Sequence, residues 1–205
     1  MINKHQFIIG VSALVLGCGF FAAKPTLAEE TDRGEVIAYT CLGCHGIEGY
    51  RNAYPSYRVP KLGGQKEAYL VAALQGYKNG TREHTTMNAQ ANSLSDEDIN
   101  AVSAFLATLG TETVEAGGSE AVNFEPAQTC VACHGPNGIS VSPGWPTLAG
   151  QYEDYLVHSL QQYRDGTRSN QVMGPLAANL DDKTIAQLAA YFSSLAGLET
   201  TKVEP

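Results

Sequence analysis

Cys41-Leu42-Gly43-Cys44-His45 and Cys130-Val131-Ala132-Cys133-His134 are the two stretches on which the reading of this chain turns. Cysteines at i and i+3 on a helical turn share one face, with the next residue close by. Two thiols so placed can bond the two vinyl groups along one haem edge while the imidazole reaches the iron. A zinc site or disulfides are the alternatives. Zinc clusters usually space their histidines further from the cysteines, and neither alternative explains a histidine retained in both copies. The motifs therefore predict two haem c groups, held covalently by Cys41, Cys44, Cys130 and Cys133, with His45 and His134 on the irons.

Outward from the motifs, the chain is one unit written twice. Pro60-Lys61-Leu62-Gly63-Gly64-Gln65 overlays Pro146-Thr147-Leu148-Ala149-Gly150-Gln151 at an offset of 86 residues. The same offset carries Tyr69-Leu70 onto Tyr155-Leu156, Tyr77 onto Tyr163, Gly80-Thr81-Arg82 onto Gly166-Thr167-Arg168 and Met87 onto Met173. The motifs themselves are 89 residues apart, so the first copy has three extra residues before its proline. A period this long means duplicated domains rather than a solenoid. Residues 110–126, rich in glutamate and glycine without apolar periodicity, read as a linker. The expected division is a leader at 1–28, a first domain at 29–110, a linker at 111–126 and a second domain at 127–205.

Residues 1–28 combine Lys4, an apolar run from Phe7 to Ala23 and a small-residue cut site at Thr26-Leu27-Ala28, the pattern of a cleaved secretory signal. An uncleaved anchor and a lipidated Cys18 are the competing readings, and peripheral membrane association stays open with them. The expected compartment is the periplasm. The net charge is −8, and removing residues 1–28 takes away Lys4 and Lys24 but no acid, leaving −10. No Lys/Arg run exists to bind phosphates, which excludes nucleic acid as a partner. The balance instead suits basic docking sites on partner proteins.

The periodicity within each copy is helical. Leu70, Ala73, Leu74 and Tyr77 recur at i, i+3, i+4 and i+7 before Gly80, and Leu156, Leu160 and Tyr163 repeat this before Gly166. A last helix starts at Ser95 and buries Ile99, Val102, Leu106 and Leu109; its twin, capped by Asp181, buries Ile185, Leu188, Phe192 and Leu195. A shorter helix from about Gly34 leads into Cys41. The fold class is all-α, two tandem domains of three to five short helices, each small enough that a large apolar group would help close its core.

A low-spin haem needs a sixth ligand. Met87 and Met173 stand at the same repeat position, each expected in a loop before its domain's last helix, and are the candidates. His84 competes at the first site or is a solvated loop histidine, and Asn170 holds its place in the second copy. Arg82 and Arg168 read as partners of haem propionates or as solvated loop residues. Trp145 reads as packing near the second haem and His158 as a surface helix residue. The loop Tyr50 to Arg58, longer than its counterpart, either covers the first haem's edge or docks a partner. Its tyrosines and arginines are expected to give the Met87 haem the higher potential of the two.

With these motifs the chain resembles the class I c-type cytochromes, and from Gly34 to Gly197 it resembles the dihaem cytochrome c4 group: two monohaem domains, Cys-x-x-Cys-His opening each, Pro-x-Leu-x-Gly-Gln in the middle and Gly-x-Arg before the methionine. The resemblance implies that the carbonyls of Pro60 and Pro146 accept from Nδ1 of His45 and His134. It implies that Leu62 and Leu148 pack on the haem faces and that the hydrophilic haem edges meet near a pseudo-twofold interface. With both axial positions closed, the function expected is periplasmic single-electron transfer between respiratory redox proteins, not catalysis. The implied partners are a cytochrome bc1 complex as donor and a terminal oxidase or reductase as acceptor. The alternative is the electron-transfer subunit of a sulfide- or thiosulfate-oxidising dehydrogenase. Gly63, standing where the second copy has Ala149, is a departure from strict repetition that leaves the first haem's exposure open.

Overall fold

The computed structural model describes residues 27–110 and 124–201, with side chains from Arg33 onward. Residues 1–26 of the leader and 111–123 of the linker lie outside the described residues. Among the described residues no helix is long and apolar enough to cross a membrane.

The first domain contains α1 (Leu27–His45), α2 (Glu67–Asn79), α3 (Thr85–Asn92) and α4 (Asp96–Thr108). α1 lies against α4 and is longer than the segment expected from Gly34. Gly34 marks the crossing: a methyl there would collide with the Ala101 carbonyl oxygen and with Cβ of Phe105, so only glycine lets the two helices come this close. Leu42 of α1, Leu70 of α2 and Val102 and Leu106 of α4 form the core that this crossing closes, with Cys41 and Leu62 packed on its rim.

The second domain opens on Phe124, whose ring stacks 5.0 Å from that of Tyr191, followed by a 3-10 turn at Glu125–Ala127. It continues with α5 (Gln128–His134), α6 (Glu153–Asp165), α7 (Met173–Ala177) and α8 (Asp182–Ser194). Leu156, Leu188, Ala189 and Phe192 make its core, with Cys130 and Leu148 at the edge.

Helix boundaries follow the punctuation in the sequence. α2 and α6 stop at Gly80 and Gly166, whose φ of 79° and 78° a side chain would resist. α4 begins at Ser95 with a reciprocal box, the Ser95 hydroxyl accepting from Asp98 N and the Asp98 carboxylate from Ser95 N. α8 begins at Asp181, which accepts from Thr184 N at 2.7 Å.

The methionines differ from the expectation of loops. Met87 lies inside α3 and Met173 is the first residue of α7. Both helices are too short to announce themselves by apolar periodicity, and a polar side chain three residues upstream starts each: His84 Nδ1 accepts from Met87 N at 3.2 Å and Asn170 Oδ1 from Met173 N at 2.9 Å.

The domains meet across a pseudo-twofold relation in which repeat-matched residues exchange partners. Gln65 accepts from Thr147 N and donates to Thr147 O at 2.9 and 3.0 Å; Gln151 does the same with Lys61 N and O, both at 3.0 Å. Past α8 the chain returns to the first domain, where Glu199 and Gly63 exchange backbone hydrogen bonds of 3.1 and 3.2 Å.

Candidate functional site

Both Cys-x-x-Cys-His motifs end a helix, α1 in the first domain and α5 in the second, so each histidine sits at the last helical position and turns inward. His45 and His134 are buried. Nδ1 of His45 lies 2.7 Å from the Pro60 carbonyl oxygen, and Nδ1 of His134 lies 2.8 Å from that of Pro146. Proline carbonyls can only accept, so Nδ1 carries the proton and Nε2 is left as the lone-pair donor. Burial pushes both imidazoles towards the neutral form against the opposing pull of the proline carbonyl; at His45 the nearby His84 adds to the downward shift. A neutral imidazole with its Nδ1 fixed is the form that binds a metal.

The cysteines are not paired with one another, and burial raises the pKa of the Cys41 and Cys130 thiols. Zinc sites need thiolates converging on one point. Among the described residues no three His, Cys, Asp or Glu groups converge in this way, and the four cysteines stand unpaired.

The second motif opens onto a cavity of about 500 Å³. Cys130, Cys133, His134, Leu148, Arg168 and Met173 line it, so the residues expected around the second haem share one space. Trp145 lines the same cavity from its rim. The wall is completed from the other domain by Tyr69, Ala72, Ala73, Gly76 and Arg82.

Arg82 and Arg168 are buried, with 9% and 5% of their surface exposed, which corrects the solvated-loop reading. Each guanidinium lies over a tyrosine ring of its own domain, 4.4 Å from the centroid of Tyr77 and of Tyr163 respectively. Each also donates across the interface: Arg82 Nη2 to the Tyr155 hydroxyl at 3.1 Å and Arg168 Nη2 to the Tyr69 hydroxyl at 2.8 Å. Burial alone would raise the Tyr155 pKa, but the two guanidiniums prevail and pull it down to about 8. Among the described residues neither arginine pairs with a carboxylate. Buried cations without an anion are costly. The donor set therefore fits a ligand that brings its own carboxylates, as a haem does.

The Tyr50 to Arg58 loop reaches the second domain through Tyr57 and Arg58, while Tyr50 and Tyr54 stay exposed. Tyr57, 7% exposed, stacks on His158 of α6 with centroids 4.2 Å apart. Asp154, one turn before His158, accepts from Arg58 N at 3.1 Å and Arg58 Nε at 3.0 Å and pairs with Arg51 at 3.1 Å. His158 is therefore half-buried at the interface rather than a surface residue. His84 is not a solvated loop residue either, since it starts α3 with its ring 6.3 Å from that of Tyr57. Sequence reasoning assigned no role to Gln65 and Gln151; their match in the repeat was the signal that marked them.

The family model for cytochrome c matches residues 31–110 and again 123–196. The chain is 32% identical to a protein named thiosulfate dehydrogenase electron acceptor from Stutzerimonas stutzeri, over 98% of this chain and 99% of that one. It is also 32% identical to cytochrome c4 of Pseudomonas aeruginosa, over 82% of this chain and 90% of that one. The crystal structure of reduced recombinant cytochrome c4 from Pseudomonas stutzeri superposes with a TM-score of 0.63 at 28% identity, covering 80% of this chain and 98% of that one. Two motif-bearing domains of this fold place the chain in the cytochrome c family, as a dihaem electron-transfer protein of the cytochrome c4 group with two haem c.

Proposed function

We propose that the chain is a periplasmic single-electron carrier without catalytic activity of its own, in which His45 and Met87 close one haem iron and His134 and Met173 the other. The observation that carries this reading is the matched histidine geometry, with Nδ1 committed to a proline carbonyl in both domains. The repeat-matched caps on Met87 N and Met173 N support the methionines as the opposite ligands. Bound between such ligands, a haem supplies a one-electron ferric/ferrous couple whose potential methionine raises relative to bis-histidine ligation. His45 and His134 hold neutral imidazoles in a fixed orientation, and with a haem bound Leu62 and Leu148 would exclude water from its faces while Arg82 and Arg168 would neutralise its propionates. With a histidine and a methionine both on each iron, oxygen, peroxide and organic substrates would find no open coordination site. The leader pattern in residues 1–28 supports the compartment.

Two partner arrangements follow. The general one is shuttling between a cytochrome bc1 complex and a terminal oxidase or reductase. The second, acceptance of electrons from a thiosulfate dehydrogenase, is favoured by the full-length similarity to a protein bearing that name. Mixing the oxidised protein with a purified thiosulfate dehydrogenase and thiosulfate decides between them: reduction within the enzyme's turnover time supports the second arrangement, and its absence beside rapid reduction by a bc1 complex supports the first. The ligand set is tested by Met87→Ala and Met173→Ala. Each variant is expected to lose half of the long-wavelength sulfur-to-iron absorption band and to open one haem to cyanide. A band at full strength in either variant refutes that methionine as a ligand.

A further inference from the structure

The two methionines are held in the same way by different chemistry. In the second domain Asn170 Oδ1 accepts from Val172 N and Met173 N, both at 2.9 Å, a local turn complete in itself. In the first domain an imidazole does this work. His84 Nδ1 accepts from Met87 N, while His84 N donates to Asn88 Oδ1 at 2.7 Å and Asn88 Nδ2 to the Tyr77 carbonyl at 2.7 Å, tying the start of α3 to the end of α2. A ring can cap only through one nitrogen, so its plane has to be held. Tyr57 supplies the wall, edge-on to His84 at 6.3 Å with the rings 70° apart. Tyr57 is braced in turn against His158, 22° from parallel. Asp154 and His158, at i and i+4 on α6, thus grip the Tyr50 to Arg58 loop through its arginines and through Tyr57.

We propose that His84, braced by Tyr57 against His158 of the second domain, is the positioning residue for Met87, so that domain contact sets how firmly the first haem's methionine is held while Met173 is set locally. The proposal rests on the reading of Met87 as an axial ligand. An imidazole serves where an amide would suffice because a ring can stack, and the stack passes through the loop that is longer in the first domain. The line Met87, His84, Tyr57, His158 runs from one methionine into the other domain, and Asn170 makes no corresponding ring contact.

The test uses the full-length protein carrying both haems and follows cyanide binding, which displaces methionine from ferric iron, together with the two potentials. Met87→Ala identifies the first haem's phase. In His84→Ala the first phase is expected about fivefold faster, the weight of one lost cap, with the second phase unchanged and the first haem's potential lowered. His84→Asn, which copies Asn170, is expected to restore both values. His158→Ala, a substitution in the other domain, is expected to speed the first phase alone, and His158→Phe, which keeps a ring on Tyr57, to leave it as in the wild type. A His84→Ala protein with unchanged phases and potentials overturns the proposal, as does failure of His84→Asn to rescue or an effect of His158→Ala on the second phase only. Because Met87→Ala is read separately, a sulfur band that survives it at full strength overturns the ligand reading and the proposal together. A halved band beside silent His84 variants overturns the proposal alone.

Discussion

Gly63 and Ala149 occupy the same place in the two copies, and the methyl that separates them is forbidden at the first by the far end of the chain. A Cβ on Gly63 would collide with Cγ2 of Thr201 and stand 3.0 Å from the Glu199 carbonyl oxygen, while the backbone of Gly63 pairs with that of Glu199. Gly63→Ala is therefore expected to cost roughly 1–3 kcal/mol, the usual range for overpacking, with part of it recovered when Thr201→Ser removes the opposing methyl. Thermal unfolding of the two proteins and the wild type measures this, and a neutral Gly63→Ala shows that the C-terminal segment does not rest there. The departure from repetition was visible in the sequence, but its cause was not, because a contact between segments far apart in the chain leaves no periodic trace. The ligating and anchoring residues were legible for the opposite reason. Cys41, Cys44 and His45 are neighbours in sequence, and helix geometry alone brings them together.

Helices with a full apolar stripe and a punctuated end, α2, α4, α6 and α8, could be read from the sequence, with the stops of α2 and α6 and the starts of α4 and α8 falling at their punctuating residues. α3 could not: Thr85 to Asn92 has only Met87, Ala89 and Ala91 as apolar residues, and its start depends on an imidazole acting as a cap. The start of α4 gives the element-scale prediction. Asp98 accepts from Ser95 N at 3.0 Å and from Arg33 of α1 at 2.6 Å, so one carboxylate begins α4 and fastens α1 to it. The Ser95 amide first, and then Arg33, hold its pKa below the ordinary 3.8. A carboxylate whose folded value is depressed stabilises the fold above its unfolded value and loses that contribution as the pH falls through the folded one. Asp98→Ala should accordingly lower stability by about 1 kcal/mol at neutral pH. In urea titrations the difference from the wild type should shrink as the pH is taken below 3.8. A gap that stays constant into acid would mean that the Asp98 charge contributes nothing.

At the scale of the molecule, the 86-residue offset had already laid Gln65 over Gln151, Tyr69 over Tyr155 and Arg82 over Arg168. A matched pair in a repeat has two physical readings, one contact made twice within domains or one contact exchanged between them, and sequence spacing is identical for both. Here the exchange holds: each arginine keeps a ring of its own domain beneath it and donates a hydrogen bond to a tyrosine hydroxyl of the other domain. These contacts bind the domains into one unit, because separating them gives up both cross-domain hydrogen bonds and the packing around them. The last prediction follows from this coupling. Tyr69→Phe and Tyr155→Phe each leave a buried N–H without its acceptor and are expected to cost about 1–3 kcal/mol apiece. Tyr54→Phe, at a residue 95% exposed, should cost nothing measurable. In guanidinium titrations of the protein carrying both haems, the wild type is expected to lose the two methionine ligations in a single coincident transition, the mark of cooperative unfolding. The Tyr69→Phe, Tyr155→Phe double variant should split that transition in two, since each domain then unfolds with little help from its neighbour. Two separate transitions already present in the wild type would show that the exchanged contacts do not couple the domains.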